Sequence, residues 1–297
     1  MPSHILRGIV MICLASLCYN LNDATTKFLV DDYSVAMIIL IRSAMALPLL
    51  MVLAVVVGRT RVSGSYRLGF HAIRGALNLL AAYLYIRGLE HLSIAEATVI
   101  LFALPLMVTA ASALLFKEIV GWKKWAAGLC SFAGVVIAIQ PGSDAFQPAS
   151  LYILGASFLY AANSVTARWL PEADNLWTVS FLAAAFSALF VSPVAIADWT
   201  GVHPEDLLVF AASAVCSSLG IGLSSMAYRI APAADLAPFG YSGLIWSLAI
   251  TWIVWGTMPG FWTCAGALII ICSSLFYFLF RQPEMLDRER VEKKPAI

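Results

Sequence analysis

The sequence predicts an all-α polytopic membrane protein of ten transmembrane helices, arranged as two inverted five-helix repeats. Three observations lead there. The 297 residues are 61% hydrophobic and only 12% charged, with a mean hydropathy of +0.87, whereas a soluble domain is about half apolar and a quarter charged. Several apolar runs approach or exceed the ~20 residues that cross a bilayer. The chain also writes one segment twice. "ASLCYNLNDATTKFL", starting at Ala15, returns as "ASFLYAANSVTARWL", starting at Ala156, an offset of 141.

The ten expected helices cover about 8–29, 34–57, 68–88, 93–116, 122–140, 149–170, 177–198, 206–228, 232–256 and 260–281. The first opens like a signal peptide, "HILRGIVMICLASL", but stays apolar to Leu29 with no convincing small-residue cleavage site, so it is expected to remain as a span. The fourth starts with the capping-box pattern Ser93-x-x-Glu96. It contains Pro105, which removes one internal hydrogen bond and should kink it. "QPGSDAFQP" is the clearest turn cluster. It divides the chain into a first repeat, 1–142, and a second, 149–281. The polar stretch 282–297 follows as an expected disordered cytoplasmic tail.

Orientation follows from the cations near span ends. Fourteen Lys and Arg residues fall on one side, among them Arg7, Arg59, Arg61, Arg67, Lys117, Lys123, Lys124, Arg168, Arg229 and the tail, against Lys27 and Arg87 on the other. Both termini are expected in the cytoplasm, with the protein in a bacterial inner membrane. Trp122, Trp125, Trp169 and Trp177 fall at cytoplasmic ends and Trp199 and Trp262 at outer ends, as an aromatic belt would.

The ends of the two halves align as well, with Gly128 falling on Gly266. Each half holds five helices, an odd number, so the second half enters from the opposite face and the halves are related by a pseudo-two-fold axis in the membrane plane. Exchanging the shapes of two such halves opens a protein to either side. The other reading is duplication for the fold alone, as in some channels and scaffolds.

In a helix, positions three, four and seven apart share a face. Tyr19, Asn22, Asp23 and Thr26 form such a stripe on the first helix, and Tyr160 and Asn163 on the sixth. Polar side chains facing lipid are costly, so the stripes should face protein or a cavity. They either line a substrate site or join helices by hydrogen bonds of about 0.6 kcal/mol each. The third helix adds Arg74, Asn78 and Tyr85, the eighth Ser217, Ser224 and Tyr228, and the ninth Trp246, an aromatic able to stack on a ring-bearing ligand. The substrate-binding candidates are therefore Tyr19, Asn22, Asp23, Arg74, Asn78, Tyr85, Tyr160, Asn163, Ser224 and Trp246.

Asp23, Arg42 and Arg74 lie within spans, while their counterparts Ser164, Ala183 and the neighbourhood of Ala212 are neutral. Asp23 and Arg42 fall at similar depth on neighbouring helices and are expected to pair, or else Asp23 is a ligand. Arg74 either binds substrate or snorkels to the cytoplasmic end. Glu96 and Asp235 begin the fourth and ninth helices, where an acid suits the helix dipole and Pro232 a first turn. Intramembrane carboxylates also carry protons, so Asp23, Glu96 and Asp235 are the ion-coupling candidates.

Other classes fit poorly. The six cysteines lie in apolar runs without metal-ligand spacing. There is neither a phosphate-binding G-x-x-x-x-G-K-[ST] nor an H-E-x-x-H, and His4, His71, His91 and His203 are scattered. Neither catalysis nor a cofactor or metal is expected. A net charge of +1 gives nucleic acid nothing to bind. A channel or facilitator, and less so an intramembrane enzyme, remain the alternatives to a transporter. The expected partners are a small-molecule substrate and the bilayer, with the chain either a monomer or a homodimer.

The run from Arg74 to Gly142 resembles the third to fifth helices of the EamA-type drug/metabolite transporters. It has the Arg-Gly start, Ser93–Ala97, Pro105, Glu118 after the fourth helix, Gly134 and the closing Pro-Gly. "ADLAPFGYSGLIWS" resembles the second copy, and Arg42 matches a common family position. Glu118 has Gly256 at its counterpart, a departure in the second copy. The resemblance implies ten helices and a central substrate cavity, in a family that carries amino acids, nucleotide-like metabolites, flavins and toxic compounds. With the inverted repeats it leads to an expected alternating-access transporter of a small organic metabolite, and the many aromatics near the cavity lean toward a ring-bearing one such as an amino-acid derivative or a flavin.

Overall fold

A computed structural model describes residues 3–56, 68–117, 120–166, 169, 176–232 and 236–292. Among these residues the regular structure is helical: α1 (Ser3–Leu29), α2 (Val35–Val56), α3 (Leu68–Leu89), α4 (Ile94–Leu101), α5 (Leu104–Phe116), α6 (Trp122–Ile139), α7 (Ala149–Thr166), α8 (Leu176–Ala197), α9 (Leu207–Ile230), α10 (Ser242–Trp255) and α11 (Phe261–Glu292). Taken together, α4 and α5 make the fourth of the ten expected helices.

Among the described residues, six helices are long and apolar enough to cross a membrane: His4–Leu29, Val35–Leu53, Ile94–Phe116, Trp122–Ile139, Trp177–Ala197 and Pro204–Ile230. The others depart from this pattern for visible reasons. The α3 sequence carries His71, Arg74 and Arg87, and α10 has only 14 residues. Large apolar side chains cover the outer surface, with Leu114 80% and Leu208 77% exposed. In water such a surface would be an aggregation liability; facing lipid it needs no cover.

Two expected helices are interrupted. Pro105 stands in the first turn of α5, and the regular helix is interrupted ahead of it at Phe102 and Ala103, whose near-helical backbone keeps Ile94–Phe116 one span. The expected ninth helix, about 232–256, carries a 3-10 turn, Ala237–Tyr241, containing Pro238, ahead of its α-helical part α10. Each proline lacks the N–H that would continue the α-helical ladder. The interruptions meet: the rings of Phe102 and Tyr241 stack with centroids 5.1 Å apart. Non-helical backbone at membrane depth is tolerated where protein or a cavity surrounds it.

The main packing pairs are α1 with α9, α6 with α11, α2 with α8 and α3 with α7; α3 also meets α8, α2 meets α9, α5 meets α7, α1 meets α10 and α4 meets α10. At the α6–α11 crossing the two backbones come close together. A Cβ on Gly134 would stand 2.7 Å from the carbonyl oxygen of Gly266, and Ser131 and Ser273 share a hydroxyl hydrogen bond of 2.6 Å beside it. Small residues let two backbones approach where no water drives association.

Two expectations fail here. Trp177 does not join an interfacial belt: it is buried beside Ala46, Leu50 and Ala214, where Gly222 leaves room for the indole. The tail is not unstructured up to Glu292, because α11 continues to that residue. Propagating a helix already nucleated in the span costs less than starting one anew, although Pro283 supplies no N–H to the ladder.

Candidate functional site

The polar stripe of α1 points into the bundle at Asn22 and Asp23. The Tyr85 hydroxyl, from α3, donates to Asp23 Oδ2 at 2.8 Å. Asn22 Nδ2 donates to Asp23 Oδ1 at 3.2 Å. Asn22 Oδ1 in turn accepts from Ser213 Oγ, on α9, at 2.9 Å. Three helices are thus tied by one chain of hydrogen bonds. Each bond removes a polar group from an apolar surrounding where it would otherwise cost several kcal/mol.

Arg42, from α2, lies within electrostatic reach of both Asp23 and Tyr160. The expected Asp23–Arg42 ion pair does not form: no nitrogen–oxygen contact within 4.0 Å joins them. Asp23 is held instead by neutral donors. Neither the Arg42 guanidinium nor the Tyr160 hydroxyl has a hydrogen-bond partner among the described residues, yet neither is sealed away from solvent. Asp23, Tyr85, Arg42 and Tyr160 therefore bring four helices, α1, α3, α2 and α7, to one polar locus. Asn22, Asp23, Tyr85 and Tyr160 were legible as candidates. For Arg42 the sequence offers its depth beside Asp23 and its match to a family position, and Ser213 gives no signal beyond being a small polar residue in an apolar helix.

The remaining candidates lie elsewhere. Arg74 is 8% exposed and does not snorkel. Its Nη1 donates to the Asn163 carbonyl oxygen at 2.6 Å and to Thr166 Oγ1 at 2.9 Å, tying α3 to α7. Its Nε and the Asn163 Oδ1 are buried without partners. Tyr19 shares a 3.2 Å hydrogen bond with Ser224 between α1 and α9. Trp246 Nε1 donates to the Cys13 carbonyl oxygen at 3.2 Å, so its polar edge joins α10 to α1. Asn78 is half-buried on α3. Asn20, not singled out from the sequence, donates to the Gly243 carbonyl oxygen at 3.2 Å.

Glu96 completes the capping box at the start of α4. Its Oε2 accepts from the Ser93 backbone N–H at 2.9 Å, while the Ser93 hydroxyl accepts from the Glu96 N–H. At the far end of α3, Lys27 Nζ donates to the carbonyl oxygens of Leu89 and Leu92, both at 2.7 Å, a cation on a helix C-terminus. Asp235, Glu118 and Arg168 lie outside the described residues. Among the described residues no group of three or more His, Cys, Asp or Glu could hold a metal ion.

The model of the EamA-like transporter family matches residues 6–140 and again 147–279. A riboflavin transporter of Vibrio cholerae is 25% identical, over 92% of this chain and 93% of that one. An S-adenosylmethionine uptake transporter of Rickettsia prowazekii is 24% identical, over 95% and 96%. A riboflavin transporter of Rhizobium johnstonii is 26% identical, over 99% and 96%. A solved crystal structure shares the fold with a TM-score of 0.64 at 17% identity, covering 95% of this chain and 98% of that one.

Proposed function

The chain belongs to the EamA-like transporter family, and from that premise we propose that it is a secondary transporter moving a small organic metabolite across the cytoplasmic membrane by alternating access. One observation carries the reading: the polar locus formed by Asp23, Tyr85, Arg42 and Tyr160 inside an otherwise apolar bundle. Ionisable groups within membrane spans mark substrate or ion pathways. The named relatives handle riboflavin or S-adenosylmethionine, which supports a ring-bearing metabolite as the substrate.

Alternating access in this reading depends on two inverted repeats, with α1, α2, α3, α4–α5 and α6 corresponding to α7, α8, α9, α10 and α11. Three features support it. The family model matches each half separately. Exchanging the halves maps the largest packing pairs onto one another: α1 with α9 becomes α7 with α3, α2 with α9 becomes α8 with α3, and α6–α11, α2–α8 and α4–α10 map onto themselves. Individual residues follow. Asn22 meets Ser213 as Asn163 meets Arg74, and both α5 and α10 end in a left-handed residue, Lys117 and Gly256.

The charge asymmetry of the loops supports cytoplasmic termini. Asp23 remains a candidate for ion coupling; Glu96 is a weaker one, because its carboxylate serves the capping box. Counterflow into liposomes holding the purified protein tests the proposal, with labelled S-adenosylmethionine and riboflavin outside and the unlabelled compound trapped inside. Saturable accumulation of either supports exchange. Unsaturable, rapid equilibration would point to a channel instead.

A further inference from the structure

We propose that Arg42 is the docking group for an anionic part of the substrate, a carboxylate or a phosphate, with the Tyr160 hydroxyl beside it and Asp23 placed to receive a cationic or N–H-bearing part of the same molecule. This assignment rests on the transporter reading.

Four features of the site lead to it. Arg42 lies within the α2 span and makes no hydrogen bond or ion pair among the described residues. A guanidinium offers five donors in a planar fork, and leaving all of them unmet inside a membrane protein is costly. Its side chain is half-buried and not sealed, which leaves its donors within reach of an acceptor that enters the bundle. Carboxylates and phosphates match the fork with two parallel hydrogen bonds.

Asp23 strengthens the case because it leaves Arg42 free. Its two oxygens accept from Tyr85 and Asn22, so it is held in place without consuming the guanidinium. A carboxylate accepts about four hydrogen bonds, which leaves Asp23 able to take a donor from a ligand. The Tyr160 hydroxyl is likewise unpartnered and within the reach of Arg42's charge. The second half has neutral Ala183 and Ser164 at the counterparts of Arg42 and Asp23. The helix packing therefore has no need of either charge.

The site accordingly suits a molecule with both signs of charge. The amino-acid head of S-adenosylmethionine carries a carboxylate and an ammonium; riboflavin carries no ionised group at neutral pH; riboflavin 5′-phosphate carries an anion alone. The order of preference expected from Arg42 and Asp23 together is S-adenosylmethionine, then riboflavin 5′-phosphate, then riboflavin.

The test places one cysteine, Tyr160→Cys, in a protein whose six native cysteines are replaced. Its reaction rates with an anionic sulfonatoethyl and a cationic trimethylammonioethyl methanethiosulfonate are compared in liposomes. With Arg42 present the anionic reagent is favoured. Arg42→Gln should lower the anionic-to-cationic rate ratio about fivefold or more, Arg42→Lys should keep most of it, and Asp23→Asn should raise it. An unchanged ratio in Arg42→Gln, or a cysteine inert to both reagents, overturns the assignment.

If Arg42→Gln does not fold, protection in the Arg42 protein decides. Acetate or inorganic phosphate should slow labelling where tetramethylammonium chloride of equal ionic strength does not, and equal effects overturn the assignment. Stronger protection by acetate assigns a carboxylate, and stronger protection by phosphate a phosphate. Charge-selective labelling without counterflow of any probe would sink the transporter reading and leave the Arg42 assignment standing.

Discussion

The rings of Phe102 and Tyr241 stack at 5.1 Å with planes 22° apart, joining the point where α4 gives way to α5 to the 3-10 turn that precedes α10. Two broken helices therefore meet at their breaks. An offset stack of this kind contributes about 0.5–1.5 kcal/mol beyond its buried area. Phe102→Leu keeps an apolar side chain but loses the stack. It should lower the unfolding free energy of the detergent-solubilised protein by about that amount, read from thermal unfolding. Tyr241→Leu added to it should cost little more, and fully additive losses would mean that the rings are not coupled.

Asp23 accepts from Tyr85 and Asn22 and does not pair with Arg42. Breaking a closed buried ion pair costs about 3–5 kcal/mol. Asp23→Asn should therefore cost less, about 1.5–3 kcal/mol, on the scale of one charge-assisted hydrogen bond. Tyr85→Phe should cost about as much, and the double variant less than the sum. Transport should fall in Asp23→Asn by a larger factor than stability accounts for. A loss of several kcal/mol from Asp23→Asn alone would restore the ion-pair reading.

The α6–α11 crossing allows no side chain at either glycine. A Cβ on Gly266 would meet Ala138 Cβ at 2.9 Å, whereas one on Gly69 would meet nothing within 4 Å. Gly266→Val should destabilise by about 1–3 kcal/mol through overpacking. Gly69→Ala should leave stability unchanged or slightly raised, since it removes backbone freedom from a helix. Equal effects at the two positions would mean that the helices do not cross where the structure places them.

Topology has a direct check. A reporter active only in the cytoplasm should work when fused after Ile297 and fail when inserted at Ser143, in the turn between α6 and α7. Activity at both sites would overturn the proposed orientation and the odd number of spans in each half.

Residues read one after another are enough to show that the chain spans a membrane, roughly where the helices run and which polar residues stand out in apolar segments. These are local properties. Bilayer thickness sets span length, an interior proline removes its own hydrogen bond, and a capping box is written in four consecutive residues, as Ser93 and Glu96 bear out. Twenty-odd apolar residues announce a span whatever they later touch.

Which polar groups meet follows from the packing of the helices. Depth along a helix is legible from residue number, but rotation about the helix axis is not, and rotation chooses the partner. Asp23 and Arg42 fall at similar depth, yet α1 turns the carboxylate to Tyr85 on α3 and leaves the guanidinium open. Arg74 sits near a span end that invited snorkelling, yet α7 presents a carbonyl oxygen and Thr166 within 3 Å. Trp177 lies at a helix end suited to an interface, yet Gly222 opens a slot that buries it. In each case residues from distant parts of the chain supply the competing contact, and their arrangement around one helix is fixed only when all the helices pack together.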